Sequence, residues 1–212
     1  MVGDRFGGAH MIMLKLSDNI RQYTYNWICN HLSLIKKPST LLDIGTRESK
    51  FAAYMSSQGY KVTSIERDTK FIDLQNKYEK EFDTKYEILT TDLLDLPDEP
   101  KYDLVTAIYS LQHNIEKDIH CYEKAAKLCN QYLYIINEFK SEKEELKLGR
   151  NDGDMRVYSL DQVWERIVEP VRKAHQIKNL KMELAKFDFP KQTIEKVSNL
   201  EEANTILLRI EF

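Results

Sequence analysis

Two carboxylates and a glycine carry the first chemical signal in this chain. Leu41-Leu42-Asp43-Ile44-Gly45 is an apolar run that ends in an acid and a glycine, and helix-like spacing follows at once. It reads as a buried strand turning sharply into a helix. A second run, Lys61-Val62-Thr63-Ser64-Ile65-Glu66, also ends in an acid. That acid lies ~20 residues on, the spacing at which a nucleoside-binding sheet offers a carboxylate to two ribose hydroxyls. The carboxyl ends of parallel strands open into a crevice, and the helix that follows points N–H groups into it. Asp43 and Glu66 together imply a nucleoside ligand.

Such acids need a sheet to hold them. Ser17 reads as the N-cap of a helix over 17–33, with Ile20, Tyr23, Trp27, Ile28, His31 and Leu32 on one side, which would cover the sheet edge or the ligand mouth. Pro38 closes this segment ahead of the first strand. Phe51, Ala52 and Met55 form the apolar face of the next helix, and Gly59 is placed to cap it. Phe71, Leu74 and Tyr78 mark another helix, and Tyr86-Glu87-Ile88-Leu89 a third strand. Pro97 to Pro100 forms a turn into the fourth strand. Ile119, Tyr122, Ala126 and Cys129 keep helical spacing before a fifth, β-rich strand from Gln131 to Ile136.

Strands alternating with helices predict parallel βαβ units with helices on both faces. Phe139 to Arg156 breaks the alternation, because it is too polar for core and too long for an ordinary connection. Ser159-x-x-Gln162 reads as a capping box opening a helix with Val163, Trp164 and Ile167, which Pro170 ends. Leu180-x-Met182-x-Leu184 and Ile206-x-Leu208-x-Ile210-x-Phe212 read as an antiparallel pair at the edge of the sheet.

At 212 residues and 42% hydrophobic content the chain supports one sizeable core. We expect a single domain over 13–212, made of the helix over 17–33, a cofactor-binding half over 40–114 and an acceptor-side half over 115–212. Residues 1–12 hold three of the chain's seven glycines, and Gly8-Ala9-His10-Met11 reads as a cloning remnant, so this stretch is expected to be a tag or disordered. A net charge of −3 argues against non-specific nucleic-acid binding. Cys29, Cys121 and Cys129 have no Cys-x-x-Cys spacing and are expected to be reduced, in a cytoplasmic protein. No apolar run approaches the ~20 residues needed for a membrane span, and no metal set is expected of His113, His120 and Cys121.

Taken in order, Asp43-Ile44-Gly45, Glu66, Thr91-Asp92-Leu93 and Tyr102-Asp103 running on to Tyr109-Ser110-Leu111-Gln112-His113 resemble the class I methyltransferases, which use S-adenosylmethionine. That family carries Asp-x-Gly-x-Gly-x-Gly on its first strand, an acid ending the second, an Asp near the third and an aromatic-Asp pair opening the fourth. The resemblance implies a Rossmann-like three-layer α/β/α sandwich with a seven-stranded, mostly parallel sheet and an antiparallel last strand. It places Asp43, Gly45, Thr46, Arg47, Glu66, Arg67, Asp92, Leu93, Tyr109 and Ser110 at the cofactor, and His113, a few residues after the fourth strand, is expected beside the transferred methyl as a catalytic base.

The departure is that the second and third glycines are Arg47 and Ser49. A dinucleotide needs those glycines so that its pyrophosphate can approach the backbone. S-adenosylmethionine has no phosphate and carries an ammonium and a sulfonium, so acids matter more to it. Several alternatives stay open. Arg47 can reach the cofactor carboxylate or pair with Glu48; Tyr25 can touch the methionine moiety or lie exposed; His113 can be a base or a packed histidine; and Arg172, Lys173, His175, Lys178 and Lys181 form a solvated face or an anion site. No Asp-Pro-Pro-Tyr, Asn-Pro-Pro-Phe or Pro-Cys follows the fourth strand, so the chain looks most similar to enzymes that methylate an oxygen or nitrogen of a small molecule, lipid or sugar. A non-catalytic partner that kept the fold, or an aminopropyltransferase on the same sheet, are the other readings.

Overall fold

A computed structural model describes residues 21–47, 50–114, 116–139, 145–147, 155–157, 160–176, 181–188 and 204–212. Ser17, Ile20, Glu48, Ser49, Ser159 and Lys178 lie outside them, as does the whole of 1–20. Seven strands form one sheet in the order β3-β2-β1-β4-β5-β9-β8. The strands are β1 (Thr40–Ile44), β2 (Lys61–Ile65), β3 (Glu87–Leu89), β4 (Tyr102–Ile108), β5 (Cys129–Phe139), β8 (Lys181–Asp188) and β9 (Asn204–Glu211). The first five are mutually parallel, and β9 runs antiparallel to both β5 and β8.

Burial on both faces explains why β1 reads as a continuous apolar run. Leu41 and Leu42 are both fully buried but belong to different cores. Leu41 joins Tyr25, Ile28, Phe51 and Met55 beneath helices α1 (Arg21–Leu32) and α2 (Phe51–Ser57). Leu42 joins Tyr122, Ala126, Ile167 and Val171 beneath α4 (Asp118–Lys127) and the helical segment 160–174 on the other face. Each such leucine contributes about 1.5–3 kcal/mol relative to an exposed one. Gly59 caps α2 as expected, at φ +83° with its N–H on the Ser56 carbonyl. Helix α3 (Ile72–Glu81) follows a 3-10 turn over Thr69–Phe71.

Four expectations are corrected. Tyr25 is not exposed: it is 1% accessible and stacks on Phe51 at 5.1 Å. Helix α1 covers a sheet face rather than an edge, with Trp27 edge-on to Tyr134, and Thr24 near its start lies 3.5 Å from the Tyr109 hydroxyl at the carboxyl end of β4. Cys129 is buried but opens β5 instead of closing a helix. Pro170 does not end its helix. Leu160–Val163 (α5) runs into a π turn over Trp164–Val168 and on into α6 (Glu169–Ala174), with Pro170 in the first turn of α6. The wider π turn also shifts the apolar phase, which leaves Trp164 50% exposed while Ile167, Val168 and Val171 are buried.

The polar segment after β5 contains a short antiparallel pair, β6 (Glu145–Lys147) and β7 (Met155–Val157). The β7 backbone lies against the 3-10 turn over Leu111–His113 and against β5. In the basic stretch, Arg172 pairs with Glu169, Lys181 pairs with Glu211, and the His175 ring stacks on Phe212, so the described part of it is a solvated face with local partners. No helix among the described residues is long and apolar enough to cross a membrane.

Candidate active site

The carboxyl ends of β1, β2 and β4 converge on a cavity of about 500 Å³. Volumes of about 300–1,000 Å³ are usual for small-molecule sites. Ile44, Gly45 and Arg47 enter it from β1, Glu66 and Arg67 from β2, Thr91, Asp92 and Leu93 from beyond β3, and Ser110, Leu111, His113 and Asn114 from beyond β4. Of the residues singled out by sequence, Gly45, Arg47, Glu66, Arg67, Asp92, Leu93, Ser110 and His113 are brought together.

Each is placed by local structure. Gly45 has φ +70°, and a Cβ there would meet Ser110 Cβ at 2.6 Å, so the turn after β1 passes too close to β4 for any other residue. Glu66 is buried, and its carboxylate accepts the backbone N–H of Arg47 on Oε2 and of Asp68 on Oε1, each at 2.9 Å. One lone-pair position on each oxygen is thereby left for a ligand donor. Asp92 caps the 3-10 turn over Leu93–Asp95 by accepting the Leu94 N–H at 3.0 Å, and its other oxygen lies 3.5 Å from the Arg67 guanidinium. His113 is half-buried, with its N–H on the Ser110 carbonyl.

Asp43, Thr46 and Tyr109 stand back from the cavity. Asp43 is 2% accessible and accepts the Thr106 hydroxyl of β4 at 2.7 Å, which ties the two strands below the turn. Thr46 is buried with its hydroxyl unpartnered among the described residues. Tyr109 turns toward α1 at a φ of +53°. Sequence reasoning missed the wall formed by Asp68, Thr69, Lys70 and Phe71. Its one legible signal was Asp68, which accepts the Lys70 N–H and starts the 3-10 turn there. The Asp68 carboxyl is held below the usual range, chiefly by its hydrogen bond with the Lys70 side chain. Behind Asp92, burial pushes the Cys121 thiol up to about 11, with the Asp92 and Asp118 charges adding to it.

A family model for methyltransferase domains matches residues 42–132, the span from β1 into β5 that holds every cavity residue named above. Over that span the chain is similar to methyltransferase domains. Its order of strands, with β9 antiparallel, agrees. No curated protein matches the chain in sequence. Among solved structures, a Burkholderia thailandensis 1,6-didemethyltoxoflavin-N1-methyltransferase, with that compound and S-adenosylhomocysteine bound, superposes at a TM-score of 0.66 and 14% identity, over 89% of this chain and 76% of that one. An S-adenosylmethionine-dependent methyltransferase from Methanosarcina mazei gives 0.65 at 14%, over 88% and 97%. The [4+2]-cyclase SpnF gives 0.64 at 13%, over 92% and 83%. At such identities the likeness is one of fold.

Class I methyltransferases take S-adenosylmethionine as methyl donor, and the polar groups lining the cavity suit such a molecule. Ser110 Oγ is buried at the cavity wall with no hydrogen-bond partner among the described residues, a position that calls for a polar ligand. Glu66 offers acceptors for vicinal hydroxyls, and Asp92 offers one beyond the end of β3. Arg47 stands at the cavity wall where the family pattern has its second glycine.

Proposed function

We propose that this methyltransferase domain binds S-adenosylmethionine in the cavity at the ends of β1, β2 and β4 and moves its methyl group to an oxygen or nitrogen of a small acceptor. The observation that carries the reading is the Glu66 carboxylate, fixed by two backbone N–H groups and turned into a cavity of nucleoside size. Glu66 would take the ribose hydroxyls, Asp92 and Leu93 the base, and Ser110 and Arg47 the amino-acid end. Asp43 and Tyr109 support the turns that carry these groups, and the Thr46 hydroxyl lies beneath the same turn.

The bound cofactor supplies an already activated methyl group, so the protein's work is to hold the acceptor in line and to keep water out. His113, which lines the cavity with Ser110, would accept the proton of a hydroxyl or ammonium acceptor on a ring nitrogen. Strand β7 of the β6–β7 pair lies against the turn carrying His113, which supports a role for the pair as the acceptor-side cover.

S-adenosylhomocysteine, the demethylated cofactor, tests the reading. At 100 times its Kd it should stabilise the chain by about 2.7 kcal/mol in a thermal melt, while NAD should not shift the midpoint. Equal shifts with both, or none with either, overturn the reading. Arg47 in a glycine position favours a second reading, a partner protein that binds the nucleoside without turnover. It is separated by methyl transfer to a panel of hydroxyl and amine acceptors.

A further inference from the structure

The residue standing where the family pattern has its second glycine, Arg47, sits in the left-handed region at φ +41°, which L side chains avoid. Something must hold it there. Its N–H donates to Glu66 Oε2 at 2.9 Å, and its carbonyl accepts the side-chain amide of Gln75. Gln75 projects from α3 and is fully buried, between Phe71 and Tyr78 along the helix. Its own carbonyl oxygen accepts the hydroxyl of Tyr86, just ahead of β3. Burial, with the Asp43 and Glu79 charges added, raises the Tyr86 phenol above its ordinary range and keeps it a donor. On the outer side the Arg47 guanidinium lies over the Phe71 ring at 5.1 Å.

We propose that Gln75, oriented by Tyr86, is a positioning residue for the cofactor-binding carboxylate of Glu66, holding the Arg47 backbone in the turn that a glycine would adopt unaided. The chain of contacts runs Tyr86 hydroxyl, Gln75 amide, Arg47 peptide, Glu66 carboxylate. Releasing the first link lets the Arg47 peptide rotate toward an ordinary conformation. Its N–H then leaves Glu66, and the carboxylate loses one of the two donors that aim it. A buried glutamine on the far side of the wall thus sets the acceptor geometry for the ribose hydroxyls without touching the ligand. The proposal rests on the reading of Glu66 as the nucleoside acid.

The test is calorimetric titration with S-adenosylhomocysteine, alongside thermal melts, of the unaltered chain, Gln75→Leu and Tyr86→Phe, each also combined with Arg47→Gly. Leucine is of similar size to glutamine and can neither donate nor accept a hydrogen bond. Gln75→Leu should weaken binding by about tenfold and Tyr86→Phe by about threefold. In the Arg47→Gly background either change should cost less than about twofold, because glycine takes a positive φ without help. The same loss in both backgrounds, or no loss in either, overturns the proposal and leaves Gln75 a packing residue. If Gln75→Leu fails to fold, Tyr86→Phe in the two backgrounds decides by the same comparison. No binding by the unaltered chain overturns this proposal and the nucleoside reading together; binding that ignores the Gln75 and Tyr86 changes overturns this one alone.

Discussion

His113 and Glu66 divide the expected work of the site, and substitution separates them. His113 lines the cavity and makes its backbone contact within its own turn, so His113→Ala should leave S-adenosylhomocysteine affinity within about threefold. Turnover of an acceptor that must lose a proton should fall at least tenfold, the low side of what a general base contributes. Full turnover with weakened acceptor binding would assign His113 to positioning instead. Glu66→Gln should do the reverse and weaken the cofactor by about 1.5–3 kcal/mol, the range for hydrogen bonds to a charged group; an unchanged Kd would remove Glu66 from the site. Both residues were legible because an acid ending one strand and a polar run following another are local patterns. Gln75 and Tyr86 were not, since a buried glutamine and tyrosine look in sequence like any polar helix and strand positions until their partners are known.

Strand β4 shows how an element is anchored away from the chemistry. Asp103, near its start, accepts the Ser39 hydroxyl at 2.6 Å and the Ser39 and Thr40 N–H groups at 2.9 and 3.1 Å, with the Gln131 amide on its other oxygen. The aromatic-Asp pair opening this strand is therefore a clamp that aligns β1, β4 and β5 at the end opposite the cavity. The Ser39 hydroxyl first, then the backbone donors, hold the Asp103 carboxyl below its ordinary range. A depressed folded-state value means stabilisation that is present above the unfolded value of ~3.9 and lost as pH falls through the folded one. Asp103→Asn should lower Tm at pH 7 by about 2–4 °C, for about 1 kcal/mol in a chain of this size. The gap to the unaltered chain should close as the pH drops below about 4; a gap constant down to pH 3 would show that the charge is not what matters. Elements with strict periodicity were readable on this scale, including the β8–β9 pair. The π turn was not, because Pro170 carries the same sequence signal whether it ends a helix or sits in the first turn of the next helical stretch.

The two cores on either side of the sheet leave the thiols little access. Burial pushes Cys29 and Cys129 up to about 12 and Cys121 to about 11. The thiolate is the reactive form, so at pH 8 the folded chain should resist iodoacetamide, while mass spectrometry should find three alkylated cysteines after guanidinium treatment. Prompt labelling of Cys121 or Cys129 in the folded chain would contradict the packing. The seven-strand order was legible only through resemblance. Which strand borders which depends on long-range pairing, and nothing in residues 204–211 announces that they pass between β5 and β8. That threading has a consequence for synthesis. Chains fold from their N-terminal side as they are made, so a nascent chain that already holds β1 to β5 must wait, with the edge of β5 bare, for a strand translated at least 65 residues later, from Phe139 to Asn204. A ribosome stalled in that interval, or a protease cutting there, would leave exposed an edge that templates pairing with other chains, and rates of translation over this stretch should influence how much soluble protein a cell recovers.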